Sequence, residues 1–325
     1  MSDAQFCQKV KKMNNEQRIN ELMELYNLPV NELIEISSKI TQENFKNNEV
    51  EFCSIISAKT GKCEENCKYC SQSGHHKAKI TVHPLISVEE VKKSAESAKE
   101  NGATRFCVVT SGRSPEKEDF QKILEMIKTV SAIEGIHSCC SLGILEEEQV
   151  KQIKEAGIER YNHNINTSKS FHKNICTTHD FQDRINTVKL IQKYGIEACT
   201  GVIIGMGESR QQRIEMALEL AELNPTSVPI NFLNPIEGTP LENLQSEIDE
   251  EEILKTIAIF RIALPKSLIR YAGGRSTRFS KEYQLLGIKA GINALLVGNY
   301  LTTTGINPDE DLQLVNNAGK NLVKG

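Results

Sequence analysis

From residue 51 onward the chain alternates, eight times over, between a short apolar β-rich run and a longer amphipathic helical stretch. The β-rich runs fall near 51–57, 104–110, 136–142, 160–166, 197–204, 227–234, 268–272 and 293–300. The helical stretches lie near 87–100, 116–131, 146–156, 180–194, 209–222, 249–263, 280–289 and 308–319. Ser87, the pair Ser114-Pro115, and Asp249 are start signals ahead of three of these helices. Gly102, Gly157 and Gly195 fit the ends of others. Strands that alternate with helices pair in parallel through βαβ units. Eight such units close a barrel. The alternative is an open doubly wound sheet, but no GxGxxG opens a helix after the first strand. The expected fold is therefore α/β, a TIM-type (β/α)8 barrel with an N-terminal helical extension. Residues 1–47 read as that extension, with Leu22, Leu25 and Tyr26 on one helical face and Leu33, Ile34 and Ile36 beginning another. Residues 48–325 read as one barrel domain. The longest non-periodic loop, 58–86, follows the first strand, at the barrel end where loops carry chemistry.

Composition narrows the function. With 39 Lys+Arg against 43 Asp+Glu, the net charge of −4 argues against nucleic acid as a partner. No apolar run reaches membrane-spanning length, so no membrane partner is expected. The N-terminus is polar and has no apolar signal core, so a cytoplasmic location is expected. There the ten cysteines would stay reduced. Clustered reduced thiols point to metal binding or catalysis.

Three of them form the run Cys63-Glu64-Glu65-Asn66-Cys67-Lys68-Tyr69-Cys70 on the long loop. Structural zinc usually takes four protein ligands. An iron–sulfur cube held by three thiolates keeps one iron open for another ligand. The plainer alternative is a zinc knuckle completed by His75 or His76. A second set is spread over strands: Cys107 on the second, Cys139 and Cys140 on the third, Cys199 on the fifth. Adjacent strand residues face opposite sides, so only one of Cys139 and Cys140 can face the lumen. Each strand cysteine alone is best read as a small buried hydrophobe. Three together, beside a cluster motif, suggest a second metal site. On the fourth strand, Asn162 and Asn164 share one face and His163 takes the other. Asparagine is a poor strand former, so these two, and Asn231 on the sixth strand, are either hydrogen-bonded structural amides or ligand contacts. Arg270 reads as a carboxylate or phosphate clamp, Arg275 as structural, and Arg184 as a solvated helix charge.

The CxxxCxxC run, with Tyr69 before its last cysteine and placed after the first barrel strand, resembles the radical S-adenosylmethionine superfamily. In that superfamily the open iron of a 4Fe–4S cluster binds S-adenosyl-L-methionine, which is cleaved to a 5′-deoxyadenosyl radical. Within it, the chain from about residue 50 onward resembles the biotin synthase family. The segments that carry this are Thr60 to Ser73, Tyr161-Asn162-His163-Asn164, Val228 to Leu233, Gly238 to Leu241 and Arg270 to Arg275. The resemblance implies a sulfurtransferase that inserts sulfur between C6 and C9 of dethiobiotin, with an auxiliary cluster as sulfur donor. It implies a 4Fe–4S cluster on Cys63, Cys67 and Cys70, and a 2Fe–2S cluster on Cys107, Cys139, Cys199 and Arg270. It assigns Tyr69, Asn164, Asn166, Arg184, Gly201 and Ile203 to S-adenosylmethionine. It assigns Asn162, Asn164, Asn231, Thr302 and Thr303 to dethiobiotin, where asparagine amides match the donors and acceptor of a ureido ring. No side chain is needed as general acid or base.

The same resemblance implies an electron donor such as flavodoxin or ferredoxin, iron–sulfur assembly proteins, and a homodimer. Asn166 stands where some relatives have aspartate. Val108 to Arg113 replaces the superfamily's Gly-Gly-Glu after strand two. Cys7, Cys53 and Cys176 read as buried or incidental thiols, and none of the histidines as a ligand or general base. The alternatives are a related radical enzyme of hydrogenase-maturation or methylornithine-synthase type, and a non-enzymatic zinc or electron carrier.

Overall fold

The computed structural model describes residues 14–244, 248–298 and 306–325. The chain enters through two helices, α1 (Asn15–Tyr26) and α2 (Val30–Asn44). It then runs β1 (Glu49–Lys59), α3 (Val88–Glu100), β2 (Arg105–Thr110), α4 (Lys117–Ser131), β3 (His137–Ser141), α5 (Glu147–Glu155) and β4 (Arg160–Asn162). Next come α6 (His172–Ile175), α7 (Phe181–Lys193), β5 (Glu197–Cys199), β6 (Val202–Ile204), α8 (Arg210–Leu223), β7 (Ser227–Phe232), α9 (Glu250–Ala263) and β8 (Leu268–Tyr271). The chain finishes with α10 (Arg275–Arg278), α11 (Lys281–Ala290), β9 (Ala294–Leu296), α12 (Pro308–Asn317) and β10 (Asn321–Leu322). Every strand pairing is parallel, and β9 returns to β1. The sheet therefore closes on itself as the (β/α)8 barrel that eight repeats require. Among the described residues no helix is long and apolar enough to cross a membrane.

Helix starts are written locally. Ser87 and Glu90 form a reciprocal capping box on α3, and Ser209 with Gln212 does the same on α8. Asp249 caps α9 through Glu252 N–H. The main core fills the space between sheet and helices, with Val91, Ile127, Ile153, Val188, Ile214 and Ile257 fully or nearly fully buried. α1 and α2 pack on the outside of α8 and α9. Tyr26 anchors α1 there, its hydroxyl 2.8 Å from Thr256 Oγ1. Arg275 makes a fully buried pair with Asp311, 2.7 and 3.0 Å from its two oxygens, and ties α10 to α12.

The fourth and fifth strands depart from their apolar runs at two local breaks. The fourth ends at Asn162 rather than 166, because Asn166 turns into the left-handed region at φ 66°. Asparagine tolerates that region better than most residues. The fifth breaks at Thr200-Gly201 into β5 and β6. There the Gly201 N–H goes to Asn164 Oδ1 (3.0 Å), and its carbonyl accepts from Asn166 N–H (3.0 Å). A Cβ on Gly201 would stand 1.9 Å from the Pro229 carbonyl oxygen on β7. Glycine is needed here for close approach, not for a positive φ.

The end of the barrel nearest the strand N-termini holds a buried charge layer. Glu51 is 8% exposed and receives Arg270 Nη2 at 2.5 Å, Arg160 Nη1 at 2.9 Å and Arg105 Nε at 3.5 Å. Burial pushes the Glu51 carboxyl up, but Arg270, then Arg160 and Arg105, outweigh that and hold it at about 2. One pKa unit is worth about 1.4 kcal/mol, so ionised Glu51 contributes on the order of 3 kcal/mol to the folded state.

A carboxylate depressed in the folded state stabilises above its ordinary pKa and loses that contribution as pH falls toward the folded value. Thermal unfolding of the native chain and of Glu51→Gln is therefore expected to differ by a constant gap near neutrality. That gap narrows as pH drops below about 4.5; a pH-independent gap would show that the ion pair contributes nothing. Gly201→Ala is expected to cost about 1–3 kcal/mol through overpacking, and an unchanged melting temperature would show slack between β6 and β7.

Candidate active site

The loop after β1 folds tightly around its cysteines. Cys63 N–H donates to Gln72 O (3.0 Å), Gly74 N–H to Cys63 O (2.7 Å), and Cys70 N–H to Cys67 O (2.9 Å). Cys63, Cys67 and Cys70 are free thiols lining one cavity of about 210 Å³ with Tyr69, His179 and Arg184. Burial raises the Cys63 and Cys70 thiols. His75 and His76 point elsewhere: their Nε2 atoms lie 2.8 Å from Glu64 O and 3.0 Å from Cys67 O. Both rings are engaged with backbone of the loop, which speaks against the zinc knuckle. Three thiols converging with no disulfide and no fourth ligand from the run suit a cube with one open iron.

Arg184 is not a solvated helix charge. From α7 it reaches inward: Nε donates to His179 Nε2 (2.8 Å), Nη1 to Asn164 O (2.8 Å), and Nη2 stands 4.0 Å from Cys67 Sγ. With its amide oxygen turned to them, Asn166 accepts from Arg184 Nη2 (3.1 Å) and the Tyr69 hydroxyl (2.7 Å). Tyr69, Asn166 and Arg184 thus form one hydrogen-bonded set beside the cysteine loop. Glu65 backs it, accepting from Arg113 Nη1 and His179 Nδ1, each at 2.6 Å.

The second thiol set lies in the lumen. Cys107 and Cys139 are register partners on β2 and β3, and Asn162 partners Cys199 across β4 and β5. Asn162 Nδ2 is 3.2 Å and Arg270 Nη1 3.8 Å from Cys199 Sγ. Cys107, Cys139 and Arg270 line a larger cavity of about 350 Å³. Cys140 points the other way, into the apolar shell outside the sheet, as strand alternation requires. A Cys107 hydrogen bond draws the Cys139 thiol down, and Cys107 is correspondingly raised. Burial would lower Arg270, but nearby Cys53, Cys199, Glu51 and Cys139 outweigh it and raise it. Arg270 Nε is buried with no hydrogen-bond partner among the described residues. An orphaned donor among lumen sulfurs fits a site built to receive another group there.

The two cavities abut, sharing Tyr69, Asn162, Asn164 and Asn166. Ile55, Val109, Ile203, Phe232 and Leu296 supply apolar wall in the larger one. Asn231 also lines it, with Nδ2 on Val202 O (3.1 Å) and Oδ1 on Gly273 N–H (3.0 Å). Gly201 does not line either cavity; it is spent on packing and on holding Asn164. Thr302 and Thr303 lie outside the described residues.

Several groups at the site carried no assignment from sequence, Glu65 among them. Cys53 lines the larger cavity, where burial pushes its thiol up to about 12. Counting alternate residues along β1 places it on the face of Ile55, so alternation was the available signal. Glu51 is two residues earlier on the same face. Cys176 and His179 sit beside the cysteine loop, brought there by the segment after β4, and nothing in their local sequence marks that approach.

Comparison with known proteins agrees with this architecture. Residues 58–221 match the radical SAM superfamily, and residues 229–321 match the biotin and thiamin synthesis associated domain. The biotin synthase of Acetivibrio thermocellus is 48% identical over 284 residues, covering 87% of this chain and 88% of that protein. That of Pelotomaculum thermopropionicum is 44% identical, covering 93% of this chain and 89% of that protein. Among solved structures, a methylornithine synthase superposes with a TM-score of 0.80 at 20% identity, covering 99% of this chain and 97% of that one. A maturase of the FeFe-hydrogenase superposes at 0.78 with 19% identity, covering 98% of this chain and 78% of that one. At such identities these two carry the fold alone. Similarity to biotin synthases extends across both halves of the barrel, through both thiol sets, and the chain belongs to the biotin synthase family of radical S-adenosylmethionine enzymes.

Proposed function

We propose that this chain makes biotin by inserting sulfur between C6 and C9 of dethiobiotin. One observation carries the assignment of roles: Cys63, Cys67 and Cys70 line one cavity, Cys107 and Cys139 line another with Cys199 beside Arg270, and the two cavities meet at Tyr69 and three asparagines. Cys63, Cys67 and Cys70 would hold the 4Fe–4S cluster, and Cys107, Cys139, Cys199 and Arg270 the 2Fe–2S cluster. When bound, the first cluster and S-adenosylmethionine supply a radical that takes hydrogen from carbon, and the second cluster supplies sulfide.

The chain's own residues hold, orient and shield. Arg184 offers its guanidinium to the methionine carboxylate, kept in place by His179 and the Asn164 carbonyl. Tyr69, Asn166 and Ile203 border the space for the nucleoside. Asn162, Asn164 and Asn231 face the larger cavity, and each amide is already held at one or both ends by the protein. Their remaining capacity suits a ureido ring. Ile55, Val109 and Leu296 cover the aliphatic part of the substrate and exclude water. Arg270 is held from below by Glu51, so the face bearing Nη1 stays near Cys199. An electron donor of flavodoxin or ferredoxin type, iron–sulfur assembly proteins, a homodimer and a cytoplasmic location belong to the same proposal. So does the division into a helical extension, residues 1–47, and a barrel domain, residues 48–325.

The test uses anaerobically reconstituted protein given S-adenosylmethionine, a low-potential reductant and dethiobiotin. Biotin and 5′-deoxyadenosine are expected together, with loss of auxiliary sulfide. Cleavage without biotin would move the substrate elsewhere. Cys107→Ala is expected to abolish biotin formation while leaving the 4Fe–4S spectrum in place. Normal biotin yield from that variant would remove the sulfur-donor role from the lumen set.

A further inference from the structure

The cysteine loop is cationic in a chain whose net charge is −4. Residues 58–86 hold five lysines and two glutamates, with no aspartate. Lys62 adjoins Cys63, Lys68 adjoins Cys67, and both lysines are exposed. The Lys68 N–H donates to Ile175 O (3.0 Å), which sets α6 against the loop and adds the exposed Lys173. None of these three ammonium groups has an ion pair or side-chain hydrogen bond among the described residues. The loop's own carboxylates are already engaged. Glu65 is buried and accepts from Arg113 and His179, while Glu64 is exposed and accepts from the Arg113 N–H at 3.2 Å. Lys77 stands apart from the set, its N–H on Gly238 O (3.0 Å) beside Glu237 and Glu242. Val82 lies against Gly61, the neighbour of Lys62. At 49% exposed, it is one of two large apolar side chains so open among the described residues.

Cys63 is half-buried, so the thiol set comes to the surface beside Lys62 and Val82. Electron transfer weakens steeply with distance, so a carrier protein has to approach where the thiols approach solvent. Redox partners meet over small interfaces, and charge governs how fast they find each other. We propose that Lys62, Lys68 and Lys173 form the docking face for the reductant, a small acidic protein that carries one electron, with Val82 as its apolar contact. This rests on the reading of Cys63, Cys67 and Cys70 as the holders of the 4Fe–4S cluster. The carrier is oxidised by one electron and the cluster is reduced by one; no proton or group is transferred. Lysine suits a transient partner, because its ammonium is a flexible, strongly hydrated point charge that steers without locking one geometry.

The experiment is stopped-flow reduction of the reconstituted protein by flavodoxin hydroquinone and by reduced 2Fe–2S ferredoxin, two acidic carriers. Photoreduced 5-deazariboflavin, a small uncharged donor, gives the reduction that needs no docking. Lys68→Glu/Lys173→Glu is expected to slow carrier-driven reduction about tenfold at low salt and to flatten its salt dependence. Iron, sulfide and deazariboflavin-driven reduction are expected to stay unchanged. Lys68→Arg/Lys173→Arg keeps both charges and is expected to keep the native rate. An unchanged carrier-driven rate in the glutamate variant overturns the proposal, as does an equal loss with deazariboflavin. An equal loss in Lys99→Glu/Lys128→Glu also overturns it, because that variant makes the same charge change at the far end of the barrel, in the last turns of α3 and α4. Failure of both carriers to reduce the native protein removes the partner class. Where glutamate prevents cluster assembly, Lys68→Gln/Lys173→Gln reads the same question, and a native rate there overturns the docking face. Native protein that takes up no 4Fe–4S cluster would overturn the cluster reading itself, whatever the lysine variants do.

Discussion

A single buried carboxylate links the fold to the site. Glu51, on the first strand, holds Arg105 from the second, Arg160 from the fourth and Arg270 from the eighth. Three guanidinium groups in one barrel layer would repel one another without it. Glu197, at the outer edge of the layer, takes a second hydrogen bond from Arg160 (2.7 Å). The layer therefore helps close the barrel across its whole width, and it also fixes where Arg270 presents its free face. Removing the carboxylate would act on folding and on the auxiliary site together, because both depend on the same contacts.

Closure of the sheet does what sequence spacing cannot. Residues 53, 107, 139, 199 and 270 are far apart along the chain, yet parallel register sets them around one lumen. The cysteine loop, by contrast, is local and folds on its own backbone hydrogen bonds. The two thiol sets thus have different origins, one from topology and one from a loop. The asparagine segment at the end of β4 joins them, because Asn162, Asn164 and Asn166 all border both cavities.

Most of the barrel was legible because its signals are periodic and repeated: strand and helix runs recur eight times, and capping residues such as Ser87 and Asp249 mark the starts. The local cysteine run was legible for the same reason, as was the exclusion of Cys140 by strand alternation. What sequence left out depends on tertiary approach. The breaks at Asn166 and Gly201 come from one segment reaching across to another, and local apolarity carries no trace of that. Arg184 was placed at the site by family resemblance and not by its own surroundings in sequence, because helix position alone does not tell inward from outward when a long side chain can cross a cavity. Cys176, His179 and Glu65 converge from separate loops and had no shared pattern to show.

The chamber between the thiol sets is lined mostly by uncharged groups among the described residues. Its polar wall is amide: Asn162, Asn164, Asn166 and Asn231. Each is partly saturated by protein partners, which fixes its orientation before any ligand arrives. Burial, reinforced by Arg184 and His179, holds His163 well below its ordinary pKa. Charge enters the site from its two ends, at Arg184 beside the cysteine loop and Arg270 beside the lumen sulfurs. A neutral, pre-oriented amide wall suits a substrate whose polar head is an uncharged ring. It also suits chemistry at carbon, which needs no proton acceptor at the reacting centre.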